Sequence, residues 1–343
     1  MTTAPLPAVI EKDRLTEILR NCGALPRGGV SEVTVESSRP TIMSRIIRLR
    51  LTYDDADGDA LASLILKTGL PRETASGWVP GRQEVAFCEK VASATPAGLL
   101  PRCFDAHWDA ENEAWHVLLE DLTDTHQTIT AWPLPPSDVQ CRRILGTWTW
   151  FHARWWADPR LGVSIGTRGD AAAVDQYLAR FAKEFARFTD RNGDRLPREG
   201  PRLAAEGLSS RDVTIVHGDA HFWNCLVPRG DGRDDIRIFD WDSWRIGKAA
   251  SDLSYMMAMH WYPDRRRRLE RGLLDHYHAM LVEHGVEGYG RAALDRDYRL
   301  SALWQIMIPV WQAGIDIPPL IWWNNLERIF LAVEDLNCRE LLG

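Results

Sequence analysis

Asp219 lies two residues after His217 and five before Asn224, in the stretch Val216-His217-Gly218-Asp219-Ala220-His221-Phe222-Trp223-Asn224-Cys225-Leu226. A carboxylate in such a loop can accept the proton of an attacking hydroxyl, and a carboxamide further along it can reach a divalent cation. A second acidic point follows in Ile238-Phe239-Asp240-Trp241-Asp242, an apolar strand that ends abruptly in a carboxylate. Mg²⁺ takes oxygen ligands and binds through one or two carboxylates plus substrate phosphates, so Asp240 reads as a second metal ligand. The H-x-D-x-x-x-x-N spacing is that of a phosphoryl-transfer catalytic loop, with Asp219 as base and Asn224 beside the metal.

The elements that must position these groups fall into two halves. The first third reads as strands: Val33 to Glu36, Ile42 to Leu51, Leu61 to Lys67, then Arg102 to Trp108 and Trp115 to Glu120 around an Asp109-to-Asn112 turn. A helical segment, Arg82 to Ala92, falls between the third and fourth, giving the order β-β-β-α-β-β. Ser137 with Gln140 then forms a capping-box pattern, and Ile144, Leu145, Trp148, Phe151 and Trp155 follow at helical spacing. A second helix carries Val174, Tyr177, Leu178, Phe181, Phe185 and Phe188. Arg191 to Ser210, rich in Gly, Pro and charge, reads as loop. Two short strands, Val213 to Val216 and Ile236 to Phe239, bracket the acidic motifs, with Arg229 to Asp235 as a polar turn. From Ser251 onward the chain reads as helices broken by Pro263 and Pro318-Pro319. The expectation is a small β-rich N-lobe, residues 1–121, and a larger helical C-lobe, residues 122–343.

Composition narrows the setting. At 343 residues and 45% hydrophobic the chain can bury two modest cores. A net charge of −7 argues against nucleic acid as the main partner. The run Arg265-Arg266-Arg267-Arg268 reads as a solvated helix face. No stretch suggests a signal peptide or a membrane span. The six cysteines form no C-x-x-C pair and fit a reducing compartment, so the expected location is the cytoplasm. Most of the 16 tryptophans read as core, and some as lining for an aromatic acceptor pocket.

H-G-D-x-H-x-x-N followed by D-W-D resembles the aminoglycoside phosphotransferase and choline kinase superfamily. The flanking Leu118-Leu119-Glu120-Asp121-Leu122, Phe151-His152-Ala153-Arg154-Trp155-Trp156, and Gly247 through Ser251-Asp252-Leu253 look closest to its ecdysteroid-kinase-like branch. The resemblance implies an α+β, protein-kinase-like two-lobe fold and an ATP- and Mg²⁺-dependent phosphotransferase of a small-molecule alcohol. It implies Asp219 as base, Asn224 and Asp240 as Mg²⁺ ligands, and Asp242 as a further metal contact or a structural carboxylate. On the same template Lys67 holds the α- and β-phosphates, Glu84 orients it, and the backbone from Glu120 to Leu122 holds adenine. The turn Ser37-Ser38-Arg39-Pro40-Thr41 departs from the template in lacking glycine. Amides and hydroxyls of Ser37, Ser38 and Thr41 would meet the phosphates there.

Other readings compete. His217, Asp219 and His221 could ligate a transition metal in a hydrolase, but this leaves Asn224, Asp240, Lys67 and Glu84 without roles. His217 as a loop brace fits better. A nucleotide-binding protein with the fold and no turnover is the main alternative; the intact Asp219, Asn224 and Asp240 argue against it. Asp252, opening a helix after a Gly-containing turn, reads as its cap. The acidic chain suits a cationic acceptor, and the tryptophans suit a quaternary ammonium or a steroid.

Overall fold

Residues 6–55, 58, 60–70, 81–192, 199–207, 212–230 and 235–342 are described here in a computed structural model. The chain forms two units, Met1–Gln127 with Pro228–Asp242, and Thr128–Val227 with Ser243–Gly343.

Period-two alternation builds the first unit. In Ser44–Asp54, Ile47, Leu49 and Leu51 are buried while Arg48 and Arg50 lie on the other face. That strand, β2, sits in an antiparallel sheet of order β1-β2-β3-β5-β4, where β1 is Gly29–Pro40, β3 Ser63–Gly69, β4 Cys103–Asp109 and β5 Ala114–Glu120. One face of the sheet packs Ile47, Leu49, Leu64, Leu66 and Leu118 with Leu15 and Leu19 of helix α1, Lys12–Asn21. The sequence reading had no element there. On the other face, Trp115 and Val117 pack with Val85 of helix α2, Arg82–Lys90. Truncating any one of these leucines to alanine leaves a cavity worth about 2–5 kcal/mol.

The β-β-β-α-β-β order is present. One detail differs: the turn expected at Ser37 to Thr41 lies later. β1 runs on to Pro40, with Ser38 opposite Ile47 and Arg39 opposite Ile46. Thr41 closes the turn instead, its Oγ1 accepting from the amides of Met43 and Ser44. A register shift between Val35 and Ser37 lets the strand absorb an extra residue and continue.

The second unit is mainly helical. A strand β6, His126–Thr128, carries the chain across from the first unit, and helix α3, Asp138–Arg154, opens the helical part. Both halves of its capping box are made: Ser137 N–H donates to Gln140 Oε1 at 2.8 Å, and Gln140 N–H to Ser137 Oγ at 3.3 Å. The expected second helix is two, α4 (Ala171–Arg180) and α5 (Ala182–Asn192). The expected loop from 191 to 210 contains helix α6, Glu199–Glu206, so that expectation fails there; Gly200 and Pro201 sit in its first turn, where both are tolerated. Strands β7 (Thr214–Val216), β8 (Cys225–Pro228) and β10 (Arg245–Gly247) follow, while β9 (Arg237–Ile238), between β8 and β10 in the chain, belongs to the first unit. Part of the expected 229–235 turn, residues 231–234, lies outside the described residues. Helix α7 (Ala250–Ser254) runs into a π-helical turn, Tyr255–Met259. Helices α8 (Pro263–Glu283), α9 (Arg291–Gln305), α10 (Met307–Gly314) and α11 (Pro319–Asp335) complete it.

The arginine run is a solvated face only in part: Arg267 and Arg268 are exposed, and Arg265 and Arg266 are not. Arg266 is 1% exposed. It pairs with Glu270 at 3.0 Å and with Asp335, while Arg265 donates to the Pro136 carbonyl. A cation in that position is retained by its carboxylate partners. Trp148, Trp155 and Trp322 are core, whereas Trp150 and Trp323 are exposed. Among the described residues, no helix is long and apolar enough to cross a membrane.

Candidate active site

Sheet register places the first set of groups. Lys67 pairs with Ile46 on one side and Val117 on the other, so its side chain leaves the sheet on the face that α2 covers. There its ammonium meets Glu84 of α2 at 2.6 Å and Asp240 at 2.5 Å. Burial alone would lower the Lys67 pKa. Asp240 first and then Glu84 reverse this, and the net direction is up. Glu84 is raised, chiefly by burial, against the pull of Lys67.

Asp240 has a φ of 71°, a left-handed conformation that aspartate adopts more readily than most residues with a side chain. The kink separates the roles of its neighbours. Trp241 stacks on Phe87 of α2, with ring centroids 4.1 Å apart and planes 7° from parallel. Asp242 accepts the amide of Gly81 at 2.7 Å, at the N-terminus of α2. That contact is a helix cap. Burial, then the nearby Glu84, pushes the Asp242 carboxyl up to about 7. Gly81 itself has φ +84°, and a Cβ there would enter the Trp115 ring. Asp240 remains 41% exposed at its side chain.

The second set belongs to the other unit. After β7 the chain turns at Gly218, whose φ is +83° and whose Cβ position is filled by Ser243 O and Arg245 Nη1. The turn is bolted from below by Asp252. Its carboxylate accepts the amides of His217 at 2.8 Å and Gly218 at 3.1 Å, and meets His152 Nε2 at 3.2 Å. His152 Nδ1 in turn meets Tyr277 Oη at 2.8 Å. Asp252 is fully buried; burial raises its pKa, and His152 with His217 outweighs that, so it stays low. The expectation that Asp252 caps its helix is therefore corrected: helix α7 has no side-chain cap, and the carboxylate serves the loop.

Asp219 leaves this turn 35% exposed at its side chain. Its amide donates to His217 Nδ1 at 3.2 Å, and His217 is buried edge-on to Trp148. Both features make His217 a brace, since its Nδ1 is already accepting. Tyr255 Oη donates to Asp219 Oδ1. Asn224 Nδ2 donates to the Asp219 carbonyl at 2.9 Å and to Oδ2 at 3.3 Å, which leaves the Asn224 oxygen for a cation. His221 Nε2 stands 3.7 Å from Oδ2. His260 packs beside Tyr255 and His221; burial pushes its imidazole down to about 3, so it is neutral at ordinary pH.

The remaining expected residues are peripheral to these clusters. Ser38 is exposed on β1. The Glu120 amide is bound to Arg102 O at 2.8 Å, and its carboxylate accepts the Arg102 amide at 3.1 Å. The Leu122 carbonyl accepts from the amides of Thr125 and His126. Among the described residues, no group of three or more His, Cys, Asp or Glu is arranged to hold a metal ion. Mg²⁺ binding as read here leans on Asn224 and substrate phosphate as well as carboxylate, a donor set that suits a hard cation retaining water. Sequence reasoning missed Tyr255, and gave Asp252 the wrong task. Tyr255 falls three residues after Asp252, one turn along the same helical segment, which is the signal that could have found it.

Comparison with known proteins bears on the family and the fold. The model of the phosphotransferase enzyme family matches residues 81–294. A search of curated proteins finds no match. Among solved structures, an aminoglycoside-phosphotransferase-like protein of Ralstonia eutropha JMP134 superposes with a TM-score of 0.58 at 11% identity, covering 96% of this chain and 99% of its own. Ethanolamine kinase of Plasmodium vivax gives 0.57 at 13% identity, covering 86% and 81%. Spectinomycin phosphotransferase APH(9)-Ia, solved with ADP and spectinomycin, gives 0.51 at 11% identity, covering 96% and 99%. These likenesses establish the kinase-like fold. With the family match spanning more than half its length, the chain belongs to the phosphotransferase enzyme family.

Proposed function

We propose that the protein transfers the γ-phosphoryl group of ATP to a hydroxyl group of a small molecule. The carrying observation is the exposed Asp219 carboxylate, gripped by Tyr255 and Asn224 on a loop bolted by Asp252. The acceptor oxygen attacks the γ-phosphorus, the bond to the β-phosphate oxygen breaks, ADP leaves, and the hydroxyl proton passes to Asp219. General-base help of this kind is worth about 10²–10⁴ in rate.

The other roles follow from charge and access. Lys67, oriented by Glu84, holds the α- and β-phosphates. The Leu122 amide, for which no hydrogen bond exists among the described residues, faces the adenine edge in this reading. Asn224 and Asp240 hold Mg²⁺, and Asp242 stays on the cap of α2. The metal, when bound, supplies charge neutralisation at the phosphate oxygens. Ser38, exposed at the end of β1, contributes little beyond closing the phosphate end. ADP in a structural relative supports nucleotide use. Free cysteines at all six positions suit a reducing cytoplasm.

The ecdysteroid-kinase-like branch would call for a bulky apolar acceptor. The test is calorimetric titration with Mg-ATP, followed by ADP release against a panel of amino sugars, choline-like amines, steroids and hydroxy acids. Binding with ADP release for one class supports the proposal. Binding without ADP release for any class makes the protein a nucleotide-binding relative that has lost turnover.

A further inference from the structure

Helix α2 and strand β4 meet at a cavity of about 750 Å³ that the roles above leave unused. Two thiols share its wall, Cys88 of α2 and Cys103 at the start of β4. Both are half-buried, both pack against the cluster of Val85, Trp115 and Val117, and both belong to the first unit. Exposed Glu89, Ser93 and Ala97 also line the cavity, so it opens to solvent.

The two thiols touch. Cys88 meets Cys103 side chain to side chain, and that contact, followed by burial, holds the Cys88 pKa well above its usual value. Cys88 therefore keeps its proton and donates it to the Cys103 sulfur. Cys103 Sγ donates in turn to the Asp105 carbonyl at 3.4 Å. Sulfurs already in contact can be bridged with little backbone movement.

The pair sits one helical turn from the Lys67–Glu84 ion pair. Glu84 and Cys88 are four residues apart on α2, hence neighbours on one face. Cys88 feels the charges of both Glu84 and Lys67. In the sheet order β1-β2-β3-β5-β4, β5 separates β3, the strand of Lys67, from β4. A pull that draws α2 toward β4 thus draws Glu84 away from Lys67, which it meets at 2.6 Å.

We propose that Cys88 and Cys103 form a reversible disulfide when a peroxide enters this cavity, and that the bond loosens Glu84 from Lys67. Its consequence for nucleotide binding rests on the phosphotransfer reading. The Cys103 sulfur attacks one peroxide oxygen, the O–O bond breaks, and water leaves with the thiol proton, giving a sulfenic acid. The Cys88 sulfur then attacks the Cys103 sulfur, the S–O bond breaks, and a second water leaves with the Cys88 proton. The sulfurs are oxidised by two electrons and the peroxide oxygens are reduced by the same two. A disulfide holds its sulfurs closer than any non-bonded contact does, which supplies the pull on α2. A thiol reductant reverses the bond by exchange.

The test treats the full-length protein with hydrogen peroxide, alkylates the remaining thiols, and maps unreduced proteolytic peptides by mass spectrometry. The expected map holds Cys88 linked to Cys103, cleared by dithiothreitol and absent from the Cys88→Ser and Cys103→Ser proteins. Calorimetry should show Mg-ATP bound about tenfold more weakly by the linked wild type, restored by dithiothreitol, with no peroxide effect in Cys88→Ser. Two free thiols after peroxide, a link that joins Cys22 instead, or a Cys88–Cys103 link with unchanged Mg-ATP affinity overturns the inference. If the serine variants do not fold, the wild-type map and its reversal decide alone. Failure of the phosphotransfer reading appears separately, as no Mg-ATP binding by the reduced protein, and the peptide map then decides whether the disulfide forms.

Discussion

Tyr255 donates its phenolic hydrogen to Oδ1 of Asp219, and the π-helical turn that begins at Tyr255 aims it there. Such turns widen a helix by one residue and recur at functional sites. Here the wide turn lets a residue one turn beyond Asp252 reach over the loop that Asp252 supports from beneath. One short segment thereby fixes the loop backbone through Asp252 and the carboxylate through Tyr255.

Tyr255→Phe removes this hold and nothing else of the ring. The expected result is a fall in kcat of about tenfold, in line with one lost hydrogen bond to a charged group, with KM for ATP unchanged. Steady-state ADP release checks the split. A change confined to KM would assign Tyr255 to packing.

Lys67→Met leaves Glu84, 4% exposed at its side chain, without its cation. Stranding one partner of a buried pair costs about 3–5 kcal/mol, so the urea midpoint should fall steeply. The double substitution Lys67→Met with Glu84→Leu should recover much of that stability without recovering ATP binding. Paired denaturation and calorimetry separate the structural and nucleotide-binding roles.

Asp252→Asn keeps the shape and discards the charge shared by two loop amides and His152. A loss of about 2–5 kcal/mol in stability is expected, together with most of the turnover, because Asp219 rides on the same turn. Denaturant titration and ADP release on the same samples check it. Full activity in a folded variant would show that the loop holds without the bolt.

Asp121 carries the pH dependence most open to measurement. Burial raises its pKa, but hydrogen bonds from Ser63, Thr123 and Arg48 bring it down to about 2. Arg48 donates to it at 2.5 Å. A depressed carboxylate stabilises the fold above its unfolded pKa of about 3.9 and loses that contribution as pH falls toward 2. The stability gap between wild type and Arg48→Met should therefore be widest above pH ~5 and narrow as pH drops to ~2. A gap that holds constant down to acid would assign Arg48 to packing alone.

Much of this was legible from the residues. Alternation at Ile47, Leu49 and Leu51 gave the sheet, and the Ser137–Gln140 box gave the start of α3, because each is a local pattern with one physical solution. His217, Asp219 and Asn224 declared themselves because one loop must hold them all. What was not legible depends on contacts distant in sequence. Asp252 looks like any helix cap until the loop 35 residues earlier folds onto it. Arg266 looks like a surface charge until Asp335 of another helix reaches it. Helix α6 hides in a segment whose Gly and Pro read as loop.

The most direct measurement is single-turnover phosphoryl transfer from Mg-ATP by Asp219→Asn, with the acceptor that drives the fastest ADP release in the wild type. The account predicts a rate lower by about 10²–10⁴, with Mg-ATP affinity retained. Transfer at the wild-type rate would contradict it, since no other carboxylate shares that loop.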